Sequence, residues 1–596
     1  MLEISPTGFT LDGRPLRLLS GALHYFRSRP EQWPGHLRRL RAMGLNTVET
    51  YVPWNLHQPL PDRHDFAGAA DLGAFLRAAA DAGLYAIVRP SPYICAEWEN
   101  GGLPWWLPAG RDVALRTADP RFLAHVDRWY DTLVPLLAAH QTTRGGNVLL
   151  VQIENEYGSY GTDRAYLAHL ADGLRARGID VPLCTSDGPE DFFLTGGTLP
   201  GHLATVNFGS RAGEAFAELR RHRPQDPPMC MEFWNGWFDH WGERHTTRPA
   251  QDAAAALREI LEAGASVNLY MAHGGTNFGT WAGANTADPV TGRGYQPTVT
   301  SYDYDAPLDE RGAPTAKYWA FREVLAEYAD GALPEPEELP APLARRRIEL
   351  DRSLPLDDVL DGLSTGPVHS PVPLSFEELG LAHGLVRYRT GVPGPRTDHP
   401  LTVEGLADRA HVRVDGVHRA TLERDAGHEP LPVAVPGPTA VLELLVESMG
   451  RVNYGAGLGD RKGITGVLHN RQYLHGWTAD PVPLDDGTPG RLPWGAAAPA
   501  VADAAAVPAG GPVPAFHRGT FEIAEPADGH LALPGWTKGY VWVNGFLLGR
   551  YWDRGPQRTL YLPWPLLRSG TNELTVLELD HCAAPVVHLG PEPDLG

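Results

Sequence analysis

The chain has 596 residues and a formal net charge of −21, with 43% hydrophobic and 21% charged residues. A single hydrophobic core stops growing at roughly 250–300 residues, so two to four domains of ordinary soluble composition are expected. No long basic run breaks the acidic balance and no stretch of about 20 apolar residues occurs, which excludes a nucleic-acid backbone as the expected partner and a membrane span as an expected element.

The opening MLEISPTGFTLDGRP lacks a basic start, an apolar run and a small-residue cleavage site, so no signal peptide is expected. Cys95, Cys184, Cys230 and Cys582 are scattered and lack metal spacing, which predicts free thiols and a cytoplasmic location. Asp12-Gly13, between two short apolar stretches, predicts a hairpin turn. Strand-like runs then follow near 17–22, 45–51, 84–89, 147–153, 181–185, 204–208, 228–232 and 266–271. Helical faces lie between them. Trp33, Leu37, Leu40 and Met43 share one before Gly44, and Leu72, Phe75, Leu76 and Ala79 another before Gly83. Phe122, Val126, Trp129 and Leu133 make a third, and Leu257, Ile260 and Leu261 a later one before Gly264. Eight strands alternating with helices predict a (β/α)8 barrel of the TIM type. A doubly wound open sheet also fits the alternation, but no G-x-G-x-x-G follows a strand.

LPEPEELPAPL (333–343) reads as a linker. Beyond it come short β-like segments such as HVRVDGVHRATLE and AVLELLVE, then an Ala/Pro/Gly stretch over about 495–515. YVWVNGFLLGRYW, with an Asn544-Gly545 turn, and LTVLELD close the chain. These predict one or two β-sandwich modules. The expected division is a barrel over 1–332, a linker over 333–346, and β-rich domains over 347–505 and 506–596.

Reacting groups in such a barrel sit at the C-terminal ends of the strands. VLLVQIENEYGSYG ends the fourth strand in Glu154, Asn155 and Glu156. Glu156 lies further out and is the better candidate, while Glu154 is expected to hold its neighbours. A salt-bridged carboxylate at a barrel rim is the structural alternative. MCMEFWNGWFDHWG ends the seventh strand in Glu232, followed by Phe233, Trp234, Trp237, Phe238 and Trp241. Aromatic faces pack on the C–H surfaces of sugars, although aromatic core is the commoner use of Trp. Asp239 and Glu243 lie past the strand end and are weaker candidates. Two carboxyl groups facing each other are what glycoside hydrolysis needs, one to protonate the leaving oxygen and one to attack or activate water. After the third strand, Glu97 is a sugar-hydroxyl acceptor candidate, with Trp98, Trp105 and Trp106 as pocket walls. Tyr51 and Trp54 end the second strand, and Tyr304 lies beyond the eighth. His273 reads as a hydrogen-bonded wall or core residue. No H-E-x-x-H, P-loop or G-x-S-x-G is present.

SGALHYFR, GLNTVETYVPWN, RPSPYICAEWENGGLPWWL, VQIENEYGSYG, EFWNGWFDHWG, GASVNLYM, GGTNFG and SYDYDAPL resemble glycoside hydrolase family 35, in particular the β-galactosidase type of animal lysosomes. The likeness continues in ESMGRVNYG and PGWTKGYVWVNGFLLGRYW. The resemblance implies a catalytic barrel followed by two β-sandwich modules, galactose-binding-like and of jelly-roll type. It implies Glu156 as proton donor and Glu232 as nucleophile. It carries over galactose contacts at Tyr51, Cys95, Ala96, Glu97, Asn155, Trp237, Tyr270 and Tyr304, with Cys95 and Ala96 acting largely through their backbone. Trp234 stands where the animal members have Tyr. The expected activity is a retaining exo-β-galactosidase without metal or organic cofactor, with a β-galactoside as substrate. The chain is expected to act as monomer or homodimer. An exo-β-glucosaminidase on the same barrel, and a non-catalytic carbohydrate-binding protein, are the alternatives.

Overall fold

The computed structural model describes residues 1–109, 113–329, 331–427, 429–494 and 511–596. Eight parallel strands close a barrel in sequential order: β1 (Leu19–Leu23), β2 (Thr47–Tyr51), β3 (Tyr85–Arg89), β4 (Val148–Gln152), β5 (Leu183–Asp187), β6 (Leu203–Phe208), β7 (Met229–Trp234) and β8 (Ser266–His273). Each coincides with an expected run. Six of the eight are buried along their whole length and β3 and β7 at all but one residue, because the barrel interior is packed and helices cover the outside. The covering helices include Trp33–Met43, Leu72–Asp81, Pro120–Ala138, Arg164–Ala176, Ala212–His222, Ala250–Glu262 and Ala316–Ala326. Among the described residues no helix is long and apolar enough to cross a membrane.

Three short antiparallel strands, Leu2–Ser5, Gly8–Leu11 and Arg14–Leu16, precede β1. Asp12 and Gly13 both take positive φ, 51° and 76°, as a primed hairpin turn requires. Leu2 and Phe9 of these strands pack with Leu149, Leu150, Met229 and Met231 of the barrel. The expected linker has no regular structure up to residue 345 but is tied to the barrel: Arg38 pairs with Glu337 at 2.6 Å and Arg322 with Glu335 at 3.1 Å.

Two antiparallel sandwiches follow. One stacks a six-stranded and a four-stranded sheet, drawn from strands between Val368 and Pro483. The other stacks five- and four-stranded sheets, seven of whose strands lie between Ala515 and Gly590, with Lys538–Val543 and Phe546–Trp552 joined at Asn544-Gly545.

The sheets do not divide at residue 347. Arg346–Glu349 pairs with Val586–Gly590, and Arg352–Pro355 with Ala515–Ile523. Ile348 and Leu350 are buried in the last module's core for that reason. The chain then passes through the helix Leu356–Leu363, whose Leu356, Val359, Leu360 and Leu363 pack between Leu385, Leu445 and Val482 on one side and Phe516, Trp542 and Leu577 on the other. Most of the Ala/Pro/Gly stretch, with the expected boundary at 505–506, lies outside the described residues.

Candidate active site

The strand ends of the barrel surround a cavity of about 820 Å³. Tyr51, Cys95, Ala96, Glu97, Asn155, Glu156, Glu232, Trp237, Tyr270 and Tyr304 all line it. Both expected catalytic glutamates and all eight expected galactose contacts are therefore brought to one place.

Glu232 sits where β7 slips register against both neighbours, between Cys230 and Glu232 on one side and Cys230 and Phe233 on the other. Such a bulge re-aims a side chain. The carboxylate is held on several sides. Its Oε1 lies 2.9 Å from the Tyr51 hydroxyl and accepts from Arg89 at 2.6 Å, and its Oε2 accepts from the Trp234 indole at 3.1 Å. Arg89 is fully buried at the end of β3, with Glu49 3.7 Å away and its guanidinium 4.0 Å over the Tyr51 ring. Burial opposes its charge, but Tyr51, Glu232 and Glu49 outweigh that and hold it cationic. Burial pushes Glu49 up to about 7 against the pull of Arg89.

Glu156 stands just past β4 in the left-handed region, at φ 46°. Its backbone N–H donates to Ser186, and its Oε1 accepts from Asn207 of β6 at 2.9 Å. Desolvation in the cleft, and then the nearby charge of Glu232, push its carboxyl up to about 8, against the Asn207 hydrogen bond. Glu154 points elsewhere. Arg116 grips it with two bonds of 2.8 and 2.9 Å, Tyr166 donates to it at 3.0 Å, and Arg116 also donates to the Asn155 carbonyl.

Cys95, Ala96 and Glu97 are three consecutive left-handed residues, at φ 55°, 58° and 47°. Such a run costs of order 1 kcal/mol or more per residue and collects at functional sites. Glu97 accepts from Tyr302, and burial raises its carboxyl to about 7. Tyr270 lies 3.3 Å from Tyr302 through the hydroxyls, and Tyr304 packs edge-on to Tyr270. Trp237 stacks on Phe238 at the mouth and is 41% exposed, an unusual setting for an indole without a ligand.

Several expected residues go to structural work instead. Trp98 stacks on Trp281 and Trp54 on Trp129. The Trp105 and Trp106 indoles donate to the carbonyls of Pro59 and Gln58. None of the four lines the cavity. Phe233 and Trp241 are packed away, Asp239 accepts from His245, and Glu243 accepts from Gln296. His273 is buried against Glu310's carbonyl, with its ring tilted beside that of His36.

Arg89, Glu49, Asn207 and Tyr302 were not among the expected site residues. Arg89 and Asn207 share a sequence signal, each being a polar residue late in a mainly apolar barrel strand, YAIVR and LATVNF, while Glu49 is the charged residue in the middle of TVETY. Among the described residues one group has metal-ligand spacing, Asp191, Glu218 and His222. Arg221 already joins Asp191 to Glu218 there.

Residues 8–328 match the family model "Glycosyl hydrolases family 35". Residues 373–484 match "Beta-galactosidase, first all-beta domain", and 514–572 match "Beta-galactosidase, galactose-binding domain". The chain is 43% identical to the mouse Beta-galactosidase-1-like protein, over 96% of this chain and 88% of that protein. It is 41% identical to Beta-galactosidase of Bos taurus, over 98% of this chain and 91% of that protein. It is 42% identical to Beta-galactosidase of Homo sapiens, over 97% and 87%. A closed barrel with two carboxyl groups at its mouth, joined to these sandwiches and matched over nearly the whole chain, places it: the chain belongs to glycoside hydrolase family 35.

Proposed function

We propose that the protein is an exo-acting β-galactosidase that works by double displacement, with Glu232 as nucleophile and Glu156 as acid/base. The observation that carries this reading is the unequal setting of two carboxyl groups in one cavity. Glu232 is anchored by Arg89, Tyr51 and Trp234, while Glu156 has one hydrogen-bond donor and a carboxyl raised to about 8. A nucleophile needs fixed orientation, and a general acid needs its proton at neutral pH. The relatives named as β-galactosidases support the sugar assignment.

Glu232 attacks the anomeric carbon as Glu156 protonates the departing oxygen. Once Glu232 is esterified its charge is gone, so one of the causes holding Glu156's proton on is removed, and Glu156 becomes the base that activates water. Tyr51, Asn155, Glu97, Tyr270, Tyr304 and Trp237, with the backbone of Cys95 and Ala96, would hold the galactosyl ring. Among the described residues no protein acceptor takes the N–H of Cys95, Ala96 or Glu97, which leaves three donors for sugar hydroxyls. Glu97, Ala96 and Tyr304 are buried residues of the cavity lining.

A chromogenic panel should show turnover of the β-galactoside well above the β-glucoside and β-glucosaminide. Incubation with a 2-deoxy-2-fluoro-β-galactosyl donor should add one fluorogalactosyl group to the peptide containing Glu232, read by mass spectrometry. Label on another residue would overturn the nucleophile assignment. Glu232→Gln should lower kcat by about four orders of magnitude.

A further inference from the structure

The carboxyl of Glu156 is held by one donor, and that donor is itself held. Asn207 Nδ2 donates to Glu156 Oε1 at 2.9 Å, and Asn207 Oδ1 accepts from the Ser186 hydroxyl at 2.6 Å. The carbonyl of the same Ser186 accepts the Glu156 backbone N–H at 3.0 Å. One residue of β5 therefore meets Glu156 twice, directly at the backbone and through Asn207 at the carboxyl. Ser186 and Asn207 are both buried, so water is no ready substitute for either partner. Asn207 lines the cavity and Ser186 stands behind it.

The closing of the barrel sets up this relay. β5 and β6 pair with Ser186 opposite Thr205, and Asn207 follows two residues on, on the same face of β6. On its other edge β6 pairs with β7, and there Asn207 is in register with Glu232. The backbone of Asn207 is thus tied to the strand of the nucleophile while its amide reaches the acid/base.

The two ends of an amide have nearly the same shape, so its direction is set by its partners. With Nδ2 toward Glu156 the amide offers a donor to the carboxyl. Turned over, it would offer an acceptor, which repels the carboxylate. Among the described residues Asn207 Oδ1 is the one hydrogen-bond partner of the Ser186 hydroxyl. Turning the amide over would therefore strand a buried hydroxyl proton, which costs about 1–3 kcal/mol.

We propose that Ser186 is a positioning residue for the acid/base. By holding the Asn207 amide with its nitrogen toward Glu156, it fixes the direction of the Glu156 carboxyl. This rests on the acid/base reading of Glu156. A general acid matters most when the leaving group is poor, and little when the leaving group departs as a stable anion.

The test is the leaving-group dependence of kcat/KM, which reports the glycosylation step, in full-length Ser186→Ala. Ala keeps the buried Cβ and removes only the hydroxyl. The expected loss is about fivefold greater on lactose than on 2,4-dinitrophenyl β-galactoside, the worth of one hydrogen bond. In an Asn207→Ala background the same change should add no loss on lactose, because no amide is left to hold. A purely structural serine would lower both substrates alike and would do so in either background. Equal losses on the two substrates, no loss on lactose, or the same loss in the Asn207→Ala background would each overturn the proposal. A wild-type protein that cleaves neither galactoside would instead overturn the function on which it rests.

Discussion

Glu156 and Glu154 are two residues apart, and their chemistry differs because of partners far away in the chain. Arg116 occupies Glu154 with a two-pronged bond, whereas Asn207 gives Glu156 a single one. Position past the strand end favours Glu156, but the partners that separate the two come from elsewhere, Arg116 from the loop after β3 and Asn207 from β6. Strand-end position and aromatic neighbours made the pair Glu156 and Glu232 legible, and the motif likeness ranked the carboxylates. The support around them was not legible, because Arg89 and Asn207 look like polar interruptions of apolar strands until the barrel closes. The Asn207 hydrogen bond opposes the raised pKa of Glu156. Asn207→Ala should therefore move the alkaline limb of kcat/KM, set near 8 in the parent, to higher pH. A limb that stays or moves down would show that Asn207 does not act on this carboxyl.

At the scale of elements, the barrel strands could be read because each is a short apolar run between turn residues or charged helices. The pairing of Arg346–Glu349 and Arg352–Pro355 could not, because RRIE and RSLP are short and charged, and their partners come some 160 to 240 residues later. The loop after β7 shows how closely these elements nest. A Cβ at Gly236 would lie 1.8 Å from the Tyr304 carbonyl oxygen, so the Trp237 loop and the Tyr304 loop touch backbone to backbone. Gly236→Ala must separate them. It should cost about 2–3 kcal/mol of stability, as overpacking does, and raise KM for galactosides because Trp237 and Tyr304 move together. Thermal melts and steady-state kinetics would check this, and an unchanged KM would mean that the two loops do not bind the sugar jointly.

At the scale of the whole molecule, two sets of buried groups oppose each other in pH. Burial raises Glu49, Glu97, Asp187 and Asp303 to about 7 and Glu310 to about 8. The fold keeps protons on them that the unfolded chain loses above about 4, so they weaken stability as pH rises from about 4.5 to 8. Burial lowers His57, His273, His517 and His530 to about 4. These stay neutral in the fold while the unfolded chain charges them, so they weaken stability as pH falls through about 6.5. The two trends offset each other between about 4.5 and 6.5, and above that range only the carboxyl groups act. Tm should fall from pH 6.5 to 8; a Tm that rises over that interval would contradict this.

The strands at 346–355 carry a consequence for the order of assembly. They leave the ribosome before the first sandwich, but their partners at 515–523 and 586–590 come after it. The first sandwich is thus an insertion within the second. During synthesis the barrel and the first sandwich can each complete their sheets in turn. The edge at 352–355 stays open until residues 515–523 are made and the edge at 346–349 until residues 586–590, so the strand Val586–Gly590 is the latch that closes the second sandwich.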